Sequence, residues 1–211
     1  MGKGSKMPIF DWFDHYKGRF GLKWFFAEII YRLADLNILA DFETILGVGS
    51  GRAFLENLLS KNRFIVVSDI NPALMHLAKE HRKNMKGFMV CDGFSLPFKG
   101  QSFDCVYSQG LMEHFEETQA TSILNEMGRV GQNVVFSVPL HSYGGKTLGI
   151  EYHRKPEEWH RILSNIFQFR KTVFYPNKKE AVFIASNKPL SLSSGFKTIV
   201  ALKKIIFWFL D

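Results

Sequence analysis

The chain has 211 residues, 46% of them hydrophobic and 22% charged, which suits one globular domain able to bury a full core. That balance excludes collagen-like, low-complexity and disordered classes. The formal net charge is +7, but the basic residues are scattered, with runs no longer than Lys178-Lys179 and Lys203-Lys204, so solvated faces explain the charge more simply than a nucleic-acid footprint.

Residues 1–42 read as helical and aromatic, a cover for the open edge of a cleft. Within them "MPIFDWFDHY" has no continuous apolar stretch of the kind a signal peptide needs, so a cytoplasmic protein is expected. Cys91 and Cys105 lie inside apolar runs and read as reduced thiols of that compartment. Between residues 44 and 139 short β-branched runs alternate with helical stretches, the signature of βαβ units and a parallel sheet. The strands are predicted at 44–46, 64–68, 88–91, 103–107 and 134–138, and the helices at 53–59, from Pro72 towards 83, and at 117–127. Pro156 followed by Glu157 and Glu158 suits the positive end of a helix running to about 167. Two β-rich runs, "FRKTVFY" and "EAVFIAS", then read as a hairpin.

The predicted fold class is therefore α/β: a Rossmann-like, mostly parallel sheet ending in an antiparallel hairpin, with helices on both faces. Residues 189–211 form an apolar and basic C-terminal segment. Its "FKTIVALKKIIFWFL" is too short, and too interrupted by Lys203 and Lys204, to span a bilayer. Docking on the body or on a second copy, or peripheral membrane contact, is expected instead.

Three stretches carry chemistry. In "ILGVGSGR" the glycines Gly47, Gly49 and Gly51 follow an apolar strand at alternate positions. A dinucleotide fingerprint would need a third glycine at position 52, where Arg52 stands. The spacing instead gives a tight turn with backbone amides exposed at a helix start. In "IVVSDINP", Asp69 ends the next strand, placed to accept hydrogen bonds from two ribose hydroxyls; the alternative is a cap for the helix that begins near Pro72. In "VCDGFSLPFKGQSFDCVYSQGLMEHF", Asp92 can accept from an adenine amino group while Gly93 keeps the backbone close, or can serve as a turn residue. Asp104 reads as structural.

In their order and spacing, "GVGSG", "SDINP", "CDGFSLPFKGQSFDCV", "QGLMEHF", "VVFSVP" and the closing hairpin resemble a class I S-adenosylmethionine-dependent methyltransferase over residues 44–186. They are most similar to the group that methylates small molecules, quinone precursors, lipids and some proteins. The resemblance implies a cofactor-binding domain over 43–188. Within it Gly47, Gly49 and Gly51 flank the methionine part of S-adenosylmethionine, Asp69 holds the ribose and Ile70 packs on the adenine. Asp92 and Gly93 meet the adenine edge, and Gln109 lines the cleft near the methionine end. Two positions depart from the family pattern. Ile45 stands where an acid is usual, and Gly131-Gln132-Asn133 replaces a Gly-Gly turn.

The implied function is methyl transfer to a small-molecule or lipid-like acceptor, with S-adenosylhomocysteine as product. The alternatives are a nucleic-acid or protein methyltransferase, and a catalytically weak binding protein that keeps the fold. His114, His141 and Tyr143 are the candidates for a base near the methyl group, against helix-capping and loop-surface roles for the two histidines. Tyr16 and the segment Tyr152-His153-Arg154 are candidate lid residues. Glu113, His114, His141 and His153 lack the local spacing of a metal site, so no metal is expected.

Overall fold

The computed structural model describes residues 32–82, 84–144, 149–175 and 178–190. Most of the expected N-terminal cover, including Tyr16, and nearly all of the C-terminal segment lie outside the described residues. In chain order the elements are α1 (Leu33–Leu39), β1 (Thr44–Val48), α2 (Phe54–Leu59) with a 3-10 turn over Ser60–Asn62, β2 (Phe64–Asp69), α3 (Pro72–His81) and β3 (Gly87–Val90). Then come β4 (Phe103–Gln109), a 3-10 turn over Met112–His114, α4 (Glu117–Val130), β5 (Gly131–Pro139), α5 (Pro156–Ser164), β6 (Phe169–Phe174) and β7 (Glu180–Ser186).

The seven strands form one sheet in the order β3-β2-β1-β4-β5-β7-β6. Strands β1 to β5 are parallel, and β7 runs antiparallel to both β5 and β6. The Rossmann-like sheet with its antiparallel end is the expected fold. Its central strands carry apolar runs on both sides because both faces are covered.

Alternation along β1 sends Ile45 to one core and Leu46 and Val48 to the other. The first core packs Ile45, Ile65, Val67 and Tyr107 against Ile38 of α1, Leu55 of α2 and Met75 and Ala78 of α3. The second packs Leu46, Val106 and Phe136 against α4 and α5. Helix α4 presents Ala120, Ile123, Leu124, Met127 and Val130 to it, a spacing of three and four residues that makes one apolar stripe. Each of the four larger side chains contributes about 1.5–3 kcal/mol by leaving water. Trp159 of α5 closes this layer edge-on to Phe136, with ring centroids 5.2 Å apart.

Several element ends differ from expectation. Strand β5 begins at Gly131 rather than 134, because Gly131 pairs with Phe103 across the β4–β5 ladder. Asp104 lies inside β4, within the predicted strand. Its carboxylate accepts from the Thr44 amide at 2.9 Å and its own amide donates to the Thr44 hydroxyl at 2.8 Å, which pins the start of β1 to β4. Helix α5 ends at Ser164, and Asp92 lies two residues beyond β3. No helix among the described residues is long and apolar enough to cross a membrane.

Candidate functional site

The strand order reverses direction between β1 and β4, and in an open α/β sheet the crevice beyond the carboxyl ends of the strands at such a point is where ligands bind. The glycine loop leaves β1 at that point. Gly49 (φ 64°) and Gly51 (φ 53°) take left-handed backbone angles that side chains disfavour. A Cβ at Gly49 would stand 2.9 Å from Leu111 Cδ1, so the turn after β4 lies directly on the loop. A Cβ at Gly47 would meet Ser50 Oγ at 2.2 Å and Glu56 Oε1 at 2.6 Å.

Asp69 ends β2 beside this loop and is 9% exposed. Its Oδ2 accepts from the Gly51 amide and its Oδ1 from the Asn71 amide, both at 2.9 Å. Burial raises its pKa, while these backbone N–H groups and that of Ile70 hold it down. The cap of α3 is Asn71, whose side chain accepts from the Ala73 amide at 2.9 Å, so Asp69 is not the capping residue. Ile70 follows with 68% of its surface exposed. Gly93 lies against the end of β1, where a Cβ would be 3.3 Å from Val48 Cγ1. Asp92 is exposed and its Oδ1 accepts from the Phe94 amide at 3.0 Å, which makes it a turn former.

Gln109, half-buried at the end of β4, turns its amide oxygen to Arg32, accepting from Nη2 at 2.9 Å and from Nε at 2.8 Å. His114 is half-buried and its Nδ1 donates to the Ile150 carbonyl at 3.1 Å. His141 is exposed in the turn after β5, and its backbone amide donates to the Arg154 carbonyl at 3.2 Å. Loop and Asp69 are thus joined directly, and the segment of Gln109 and His114 is brought to them through Leu111. Asp92 adjoins this group through Cys91, whose amide donates to the Asp69 carbonyl at 3.1 Å, and His141 lies in the separate turn after β5.

Two carboxyls, Glu56 and Glu113, received no role from the sequence. Glu56 of α2 is 5% exposed beneath the glycine loop, on the same sheet face as Ile45. Burial raises its pKa; Ser50 and Arg82 oppose that and Asp69 adds to it. Glu113 is 4% exposed in the turn after β4, and its Oε2 has no hydrogen-bond partner. Burial foremost, then the charges of Glu151 and Glu180, push its pKa up to about 8 against the pull of its own backbone N–H and of Arg32. Nearby, Arg32 pairs with Glu180 at 3.0 Å and His153 with Glu151 at 2.5 Å, and the rings of Tyr143 and His153 meet edge-on at 5.5 Å. Among the described residues no group of three His, Cys, Asp or Glu side chains is placed to hold a metal ion.

Residues 45–133 match the family profile described as a methyltransferase domain. No curated protein matches the chain. Solved structures share the fold. The magnesium protoporphyrin IX methyltransferase of Synechocystis, solved with bound S-adenosylhomocysteine, is 15% identical with a TM-score of 0.63, over 85% of this chain and 94% of that one. A SAM-dependent methyltransferase from Aquifex aeolicus is 18% identical with a TM-score of 0.57, over 75% and 96%. Human N-acetylserotonin methyltransferase, solved with SAM, is 15% identical with a TM-score of 0.63, over 80% of this chain and 54% of its own. The chain likewise spans 59% of a Nostoc punctiforme protein assigned as an O-methyltransferase.

Proposed function

We propose that this protein is an S-adenosylmethionine-dependent methyltransferase acting on a small-molecule or lipid-like acceptor. The observation that carries the reading is the Asp69 carboxylate, tied to the glycine loop through the Gly51 amide at the switch point of a sheet whose residues 45–133 match a methyltransferase domain. The residues present fit the cofactor. Each Asp69 oxygen accepts one backbone N–H and keeps lone-pair capacity for ribose hydroxyls, while Ile70 presents an uncovered apolar surface beside it. In this reading Gly47, Gly49 and Gly51 take the methionine part, Asp92 and Gly93 the adenine edge, and Gln109 the methionine end. His114 and His141, from the turns after β4 and β5, line the acceptor side.

The cofactor supplies an activated methyl group with a good leaving group. The chain's part is to hold acceptor and methyl carbon in line, a positional effect worth about 7–11 kcal/mol in model reactions. Arg32 fixes Gln109 at the crevice, and Leu111 packs on the loop at Gly49. Calorimetry with S-adenosylhomocysteine and with NADH tests the assignment. Binding of the first and not the second is expected, and binding of NADH alone overturns it.

A further inference from the structure

We propose that Glu113 takes the proton from the methyl acceptor, and that the acceptor is an uncharged, phenol-like hydroxyl. This rests on the methyltransferase reading above and names the chemistry of its acceptor side. Glu113 follows β4 by four residues, in the turn whose Leu111 lies on the glycine loop. Its backbone is fixed by the Tyr152 amide, which donates to the Glu113 carbonyl at 2.6 Å. Its Oε1 is 3.6 Å from where a Cβ on Gly110 would stand, so the carboxyl folds back over the end of β4. There Gly110 (φ 62°) donates to the Ser137 carbonyl of β5 at 3.1 Å.

A carboxyl oxygen buried without a donor is costly, and a donor brought by a ligand removes that cost. The charged and titratable groups around it decide which ligand. Glu151 and Glu180 face it with negative charge, and Tyr143 lies within electrostatic reach. Arg32 is engaged by Glu180 and Gln109, and His153 by Glu151. The charges acting on Glu113 from Glu151, Glu180 and Arg32 sum to a negative one, so a second anion brought by the acceptor meets repulsion; Arg154, a further buried cation of this region, lies over the Trp159 ring with its Nη2 donating to the Phe115 carbonyl. An uncharged hydroxyl instead supplies the donor that Oε2 lacks.

The step balances. The hydroxyl oxygen forms its bond to the methyl carbon, the carbon–sulfur electron pair stays on sulfur, and the hydroxyl proton passes to the ionised Glu113 carboxylate. Sulfonium, hydroxyl and carboxylate become thioether, methyl ether and carboxylic acid. The carboxyl must be ionised to act, and it titrates near 8, so the rate rises about tenfold per pH unit below that value and levels above it.

The test uses 4-methylphenol and 4-methylbenzoate as probes on the full chain saturated with S-adenosylhomocysteine, by calorimetry. The phenol is expected to bind at least tenfold more tightly than the benzoate. Glu113→Gln is expected to weaken the phenol at least tenfold while leaving the S-adenosylhomocysteine dissociation constant within twofold. In turnover with S-adenosylmethionine and the phenol, that variant is expected to lose about 100-fold in kcat, together with the pH dependence near 8. Benzoate bound as tightly as the phenol, a glutamine variant that keeps the phenol, or no phenol on a chain that holds S-adenosylhomocysteine overturns the proposal. Failure to hold S-adenosylhomocysteine at all overturns the methyltransferase reading instead.

Discussion

Glu113 keeps its proton at neutral pH because burial takes the ionised form out of water and leaves its Oε2 without a donor, and this couples the residue to stability as well as to chemistry. Its folded pKa of about 8 lies above the ordinary 4.5. Between those values the unfolded chain releases a proton that the folded chain retains, so stability falls as pH rises through that window. At about 1.4 kcal/mol per pKa unit the loss is bounded at roughly 5 kcal/mol. Thermal unfolding of Glu113→Gln should show a melting temperature several degrees above that of the parent chain at pH 8 and little difference at pH 4.5; an equal gain at both pH values would mean the charge is not its source. Asp69→Ala removes the acceptor of the Gly51 amide and should weaken S-adenosylhomocysteine binding at least several-fold in calorimetry. Gly47→Ala forces Ser50 Oγ and Glu56 Oε1 from positions 2.2 and 2.6 Å away, which should cost about 1–3 kcal/mol in urea unfolding. The glycines and Asp69 were legible in the sequence because strand, turn and strand end are local patterns. Glu113 was not, because a three-residue 3-10 turn has no period to say which of Met112, Glu113 and His114 faces inward.

At the level of elements, α3 shows how two adjacent polar residues divide their work. Asn71 caps the helix and Asp69 holds the loop, although either could be assigned the cap from sequence, since both precede Pro72 at short range. Asn71→Ala should therefore lower stability by about 1 kcal/mol in urea unfolding and leave S-adenosylhomocysteine affinity unchanged, the reverse of the expectation for Asp69→Ala. The order and type of the elements were legible because helical and strand periods alternate clearly between residues 44 and 139. Their ends were less so. Strand β5 continues back through Gly131, Gln132 and Asn133, residues of no β preference, because β4 offers backbone partners there. Asp104 is held inside β4 by Thr44, which lies 60 residues away in the chain. Pairing across the sheet overrides local propensity at both places.

Over the whole molecule, one buried polar network ties together parts that are remote in sequence. Asp35 of α1 has no exposed surface and accepts from two phenols, Tyr107 of β4 at 3.3 Å and Tyr175 just after β6. Arg32 donates to the Tyr175 hydroxyl at 3.2 Å and to Glu180 of β7 at 3.0 Å, and its other nitrogens hold Gln109 at the crevice. Burial foremost, then the Asp35 charge, raises the pKa of both tyrosines well above the usual value, so they remain donors at any physiological pH. With partners 72 and 140 residues from Asp35, the network leaves no trace in local sequence patterns. It makes α1 and the terminal hairpin depend on the same carboxylate. Asp35→Ala strands two buried hydroxyls at once and should cost about 3–5 kcal/mol, against about 1–2 kcal/mol for Tyr175→Phe, where the carboxylate keeps Tyr107. In the double variant the Tyr175 hydroxyl is no longer there to be stranded, so the losses should fall short of their sum by at least about 1 kcal/mol in urea unfolding. Strictly additive losses would mean that Asp35 and Tyr175 act independently, and that the Asp35 carboxylate does not couple α1 to the hairpin.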